Sequence, residues 1–170
     1  WNPVVLSRVP EHLIKAIIIA EDGRFYWHNG FDFEAIRDAI HYNWSQRKLS
    51  YGASTISQQT TKNLFLTPSR NVLRKWHELI LTIALEAYLE KERILEIYLN
   101  IAQFGLGVYG VDAAARFYWG IPVSAITISQ AAELAATLPS PLVSNPAKRT
   151  TFFMRKKDKI EGRLISVLNN

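Results

Sequence analysis

The chain has 170 residues, 48% of them hydrophobic, with mean hydropathy of −0.03, which suits one folded domain with its own core and excludes a disordered chain. Its net charge of +5 and pI of about 9.5 point to an anionic partner: phosphate, nucleic acid or an acidic membrane surface. Zero cysteines exclude disulfides, thiolate zinc sites and a cysteine nucleophile.

No apolar run approaches the roughly 18 residues that a membrane span needs. "LIKAIIIA" is interrupted by Lys15, and "LILTIAL" stops at Glu86. The chain opens on Trp1-Asn2-Pro3 without a basic start and an apolar core. It is therefore expected to be a mature or excised domain, with any anchor upstream of it.

In chain order, Pro10 suits the first turn of a helix carrying Leu13, Ile14, Ile17 and Ile18 towards Glu21. "AEDGRFYWHNGFD" follows, in which the adjacent carboxylates Glu21 and Asp22 precede three consecutive aromatics, Phe25 to Trp27, and His28. Asp32 suits the N-cap of a helix carrying Ala35, Ile36, Ala39 and Ile40. Thr55 with Gln58, and Thr127 with Gln130, have capping-box spacing. Between them, residues 71–88 are apolar at Leu73, Trp76, Ile80, Ile83 and Ala87, and Lys91 to Asn100 repeat a helical pattern. "LPSPLVSNPAKR" reads as a Pro-punctuated loop. A last helix is expected over Phe152 to Leu168, and its seven Lys or Arg between Lys148 and Arg163 read as a solvated basic segment. Strand signals are thin. The fold class is mainly α, in a single domain over residues 1–170.

Two motifs mislead. Gly105, Gly107 and Gly110 match G-x-G-x-x-G, but a helical "ILEIYLN" precedes them, and no acid lies between Asp112 and Glu133. The dinucleotide reading fails, because it needs a preceding strand and an acidic residue roughly 20 positions on; glycines that turn or closely pack the backbone fit better. His77-Glu78 opens like a zinc-protease helix, but Leu81 stands where the second histidine belongs.

Two carboxylates merit attention. Glu21 lies on the face of Ile14, Ile17 and Ile18. Burial there would raise its pKa and suit it to proton transfer; the alternative is an ordinary helix end paired with Arg24. Glu78 follows Arg74 and Lys75 at helical spacing. That spacing fits either a plain surface ion pair or, with Arg70, a pyrophosphate-binding cluster. Between them Thr55, Gln58, Gln59 and Lys62 fall on one helix side, and Lys62 is the only ionised residue from Tyr51 to Ser69. Eight of the chain's 20 aromatics lie between Phe25 and Tyr51, read as core or as a sugar-stacking or membrane-interface face.

Together these motifs resemble the peptidoglycan glycosyltransferases, also called bacterial transglycosylases. Their E-D-x-x-F-x-x-H-x-G-x-D is matched by Glu21, Asp22, Phe25, His28, Gly30 and Asp32. G-G-S-T-I-[TS]-Q-Q with K-N is similar to Gly52 through Gln59 with Lys62-Asn63, although Ala53 replaces the second glycine. R-K-x-x-E matches Arg74, Lys75 and Glu78, and I-L-E-x-Y-L-N matches Ile94 through Asn100.

The resemblance implies a lysozyme-like helical lobe with a smaller, membrane-facing jaw. It implies polymerisation of lipid II into β-1,4 glycan strands, with inversion at the anomeric carbon and release of undecaprenyl pyrophosphate. Glu21 would take the acceptor hydroxyl proton and Glu78 would assist at the donor. Asp22, Phe25, His28, Ser54, Thr55, Gln58, Gln59, Lys62, Arg70, Arg74 and Lys75 would bind substrate. No organic cofactor is implied; a divalent cation, Mg or Mn, at the pyrophosphate is compatible. Expected partners are lipid II, the growing strand, the membrane surface and other cell-wall synthesis proteins, with no nucleic acid. The expected location is the extracytoplasmic face of the inner membrane. The rival reading is a muramidase-like glycoside hydrolase, in which water replaces the acceptor sugar.

Overall fold

Alanines build the centre of this molecule. In the computed structural model, which describes residues 3–46, 54–67 and 72–169, one helix places Ala131, Ala132, Leu134, Ala135 and Ala136 inside the core. Side chains this small let neighbouring helices approach closely, as dense core packing demands.

The elements in order are α1 (Glu11–Glu21), α2 (Phe33–Gln46), α3 (Ile56–Phe65), α4 (Val72–Tyr88), α5 (Lys91–Ile101), β1 (Gln103–Gly105), β2 (Val108–Tyr109), α6 (Val111–Trp119), α7 (Ile128–Thr137) and α8 (Thr151–Leu168). Single 3-10 turns lie at Leu6–Arg8, Phe25–Trp27 and Val123–Ala125. The alanine-rich α7 packs against α1 and α8, which also touch each other; α3 packs against α4 and α5. The protein is mainly helical.

Local sequence rules place most helix starts. Thr55 and Gln58 form a full capping box on α3, and Thr127 and Gln130 form another on α7. Asp32 caps α2, its Oδ1 accepting from the Ala35 N–H at 2.8 Å. Pro10 sits at the N-cap of α1 rather than inside its first turn, and its carbonyl accepts from Leu13 and Ile14. The Glu96 and Asn100 side chains of α5 hold the N-terminal segment: Glu96 Oε2 accepts from Leu6 N, and Asn100 exchanges two bonds with the Val4 backbone.

Three expectations need correction. First, a small antiparallel hairpin exists, pairing Gln103 with Tyr109 and Gly105 with Val108. Strands of three and two residues are too short to alternate visibly, and the G-x-G-x-x-G glycines serve this hairpin. Gly110, at φ +85° and ψ 151°, adopts a backbone that essentially only glycine reaches, and a Cβ there would meet the Asn100 carbonyl oxygen at 2.7 Å. Gly110→Ala is expected to cost about 2 kcal/mol or more and to lower the thermal midpoint by about 4–8 °C. Calorimetry checks this, and an unchanged midpoint would refute the packing account.

Second, the apolar stripe of α4 faces outward. Leu73 and Trp76 are 72% and 61% exposed, and Ile80 and Ile83 are similarly open, while the inward side carries Glu78, Thr82 and Leu85. Helical periodicity reveals a stripe but not which side of the helix meets the protein. On α2, Phe33, Ile40 and Trp44 are also exposed. Third, α8 is not simply solvated. Phe153, Ile160 and Leu164 are buried against the α1 and α7 layer, so one edge of the basic run lies against the body of the protein.

Candidate active site

Glu21 is the last residue of α1, one turn beyond the buried Ile17. The apolar face that anchors the helix therefore carries its carboxylate inward, leaving the side chain only 11% exposed. The Arg24 alternative is not realised: Arg24 instead forks onto Asp32, at 2.6 and 2.9 Å, and also reaches Glu34. Gln59 of α3 donates from Nε2 to Glu21 Oε2 at 2.9 Å, and the Tyr98 hydroxyl of α5 donates to Gln59 Oε1 at 3.2 Å. This chain fixes the amide orientation: a Tyr proton on Oε1 leaves the amide N–H for the carboxylate. The Lys156 ammonium of α8 lies 3.8 Å from Glu21 Oε1.

Burial raises the pKa of Glu21, and the Gln59 hydrogen bond and the charges of Lys156 and Lys62 oppose that rise; Asp22 adds to it. Burial likewise pushes the Tyr98 phenol well up, reinforced by Glu21 and Asp22, so it remains a proton donor within this network. The result is a carboxylate withdrawn from bulk water with a fixed donor on one oxygen. That environment suits a general base.

Asp22, the C-cap of α1, turns the other way. It accepts from the His28 Nε2–H at 2.9 and 3.0 Å, and from the Ile56 N–H at the start of α3 at 2.9 Å. A carboxylate at a helix N-terminus meets the positive end of the dipole, so Asp22 locks α1, the 25–28 turn and α3 together. Phe25 is fully buried, edge-on to Tyr26 and His28, with the Lys91 ammonium 4.5 Å from its ring centre. Lys91 also pairs with Glu86 at 2.8 Å, and Glu86 accepts from Ser57. Thr55 donates to the Gly30 carbonyl at 2.6 Å, and Gln58 is buried in its capping box. Asp22, Phe25, His28, Thr55 and Gln58 thus point into the scaffold that aims Glu21 and Gln59. Ser54 is exposed just ahead of that cap, and Lys62 is exposed in the last turn of α3.

Glu78 belongs to a second cluster on α4. It is buried, with Arg74 at 3.1 Å on Oε2 and Lys75 on Oε1. Thr82 ties this turn inward: its hydroxyl donates to the Glu78 carbonyl at 2.7 Å and meets the Thr61 hydroxyl of α3 at 3.4 Å. One helix, α3, therefore touches both carboxylate clusters: Gln59 faces Glu21, and Thr61 faces α4. Arg70, Gly52 and Ala53 lie outside the described residues.

The described residues hold no group of three or more His, Asp or Glu side chains that converges for a metal ion. Both oxygens of Glu78 already meet cations, so this donor set does not fit a resident divalent ion.

Sequence reasoning missed Tyr98 as the orienter of Gln59 and Lys156 as the cation beside Glu21. A signal for Lys156 existed. Positions 153, 160 and 164 are apolar at helical spacing, and 156 lies three after the first and four before the second.

A family model described as transglycosylase matches residues 2–169. The chain is 45% identical to a biosynthetic peptidoglycan transglycosylase of Nitrosomonas eutropha over 158 residues, covering 93% of this chain and 65% of that protein. It is 45% identical to one from Nitrosospira multiformis, covering 98% and 71%, and 44% identical to one from Methylobacillus flagellatus, covering 95% and 70%. The chain thus spans about two thirds of the length of these relatives.

Proposed function

This chain belongs to the transglycosylase family, and from that premise we propose that it polymerises lipid II into peptidoglycan glycan strands. Glu21 takes the proton of the acceptor sugar 4-hydroxyl. The freed oxygen attacks the donor anomeric carbon from the face opposite the pyrophosphate, the C–O bond to phosphate breaks, and undecaprenyl pyrophosphate leaves with the bonding pair. One glycosidic bond forms with inversion, and the proton stays on Glu21 until solvent removes it. Lys62, exposed on α3, and the Arg74–Lys75 pair on α4 would meet the growing negative charge of the leaving group.

The observation that carries this reading is that Glu21 stands as the one carboxylate in its cluster free for proton transfer. The other acid acting on it, Asp22, is committed to His28 and the start of α3. A glycoside hydrolase needs a second carboxyl group, as acid or as nucleophile, across the scissile bond. A pyrophosphate leaves without being protonated, so a single base with cations nearby suffices.

The exposed apolar faces of α2 and α4 support attachment to a membrane surface, where a lipid-linked substrate resides. Among the described residues no helix is long and apolar enough to cross a membrane. We place the site on the extracytoplasmic face of the inner membrane, because finished strands belong outside it. Incubation with lipid II is expected to give long glycan polymer and released lipid pyrophosphate. Soluble fragments from preformed wall, with no polymer from lipid II, would transfer the assignment to the hydrolase.

A further inference from the structure

We infer that Lys156 is a positioning residue for Glu21, a cation held beside the base that keeps its carboxylate ionised within the buried site. This rests on the proposed base role of Glu21 for its functional meaning, but not for its physical test. The geometry is specific. Lys156 rides on α8 between Phe153 and Ile160, both buried, so packing and not chance fixes where its stem runs. Its side chain is 23% exposed, and its ammonium is 3.8 Å from Glu21 Oε1, beyond hydrogen-bond distance. The neighbouring Lys157 has taken the local acids, Asp158 and Glu161. The carboxylate left to Lys156 is Glu21, from the far side of the sequence.

The surroundings explain why a cation is needed there. Burial makes a charge on Glu21 costly. Lys62 of α3 also acts on it, but Lys62 is exposed and placed to turn to a phosphate. Asp22 of α1 repels it, and Tyr98 of α5 reaches it only through Gln59. Glu133 of α7, the helix between α1 and α8, is occupied by Arg149. Lys156 is thus the resident cation of the base. Burial pulls the Lys156 pKa down while Glu21 pulls it back up, as expected if each keeps the other charged.

A long contact also leaves space. Gln59 occupies Oε2 at hydrogen-bond distance, whereas Oε1 has an ammonium near it but no bond. An incoming hydroxyl can therefore approach Oε1 without displacing a tight ion pair. Once Glu21 has accepted the proton, the nearby positive charge favours its release to solvent.

The test titrates Glu21 directly, by carboxyl 13C NMR on protein labelled at Glu, with its signal identified by its loss in Glu21→Gln. In Lys156→Met and in the polar Lys156→Gln, the Glu21 midpoint is expected to move to higher pH, and Lys156→Arg to restore the wild-type position. In lipid II polymerisation, kcat/KM at the foot of the acid limb should fall about tenfold, since a lost neighbouring charge is worth at least roughly one pH unit. The rate on the alkaline plateau should stay within a few-fold. An unmoved Glu21 titration in both folded variants overturns the inference. So does a uniform loss at every pH through KM alone, which would make Lys156 a substrate contact. A shifted titration with an unmoved pH–rate limb leaves the Lys156 coupling standing and removes instead the base role of Glu21.

Discussion

Glu21→Gln is expected to lower lipid II polymerisation by roughly a thousandfold, within the range set by general-base catalysis, with a native circular dichroism spectrum and a midpoint within a few degrees of wild type. The substitution keeps the shape of the side chain and its acceptor for Gln59 Nε2, so the scaffold loses little. It also removes a buried charge, which offsets the lost attraction of Lys156. Only the lone pair that takes the proton is gone. The pH dependence gives a second readout. Because burial raises the Glu21 pKa, the ionised, active form accumulates at higher pH than for an ordinary glutamate. The wild-type rate should therefore fall as pH drops through that raised value, and the residual rate of Glu21→Gln should lack this limb. A variant that polymerises at near wild-type rate, or retains the same limb, removes Glu21 from the base role.

How far the sequence reaches is set by the distance over which each interaction acts. Capping boxes at Thr55 and Thr127 were readable because donor and acceptor lie three residues apart. The inward direction of Glu21 was readable because it continues the turn of Ile17. Its partners were not. Gln59, Tyr98 and Lys156 reach it from α3, α5 and α8, and no local spacing encodes which helices will pack together. Asp22 illustrates the same limit. It lies one position after Glu21, yet its partners are His28 and the first N–H of α3.

The outward face of α4 shows the complementary failure. Leu73, Trp76, Ile80 and Ile83 have the spacing of a core stripe yet are exposed, and the polar Glu78 and Thr82 lie inside. Periodicity states that a helix has two faces; the solvent on each side decides which is buried. On α4 the usual pattern is therefore reversed, with apolar side chains outward and Glu78 and Thr82 inward. That reversal bears on the role of Glu78.

Glu78→Gln is expected to reduce polymerisation by about a hundredfold or more, through both the arrangement of cations and the charge beside the donor. Glu78 sits on the inward face of α4 with two cations on one carboxylate. Removing its charge takes one counter-charge from the largely buried Arg74, and losing one partner of a buried pair is destabilising. Some loss of stability is therefore built into the prediction, unlike that for Glu21, and the thermal midpoint should drop by several degrees. The discriminating measurement is the rate well below the lowered midpoint, where the variant is folded. If Glu78 only braces the helix, activity per folded molecule should remain near wild type there. If it sets Arg74 and Lys75 against the departing pyrophosphate, the loss persists at every temperature at which the protein is folded. It should then appear in kcat, because the charge those cations meet grows only as the bond to phosphate breaks.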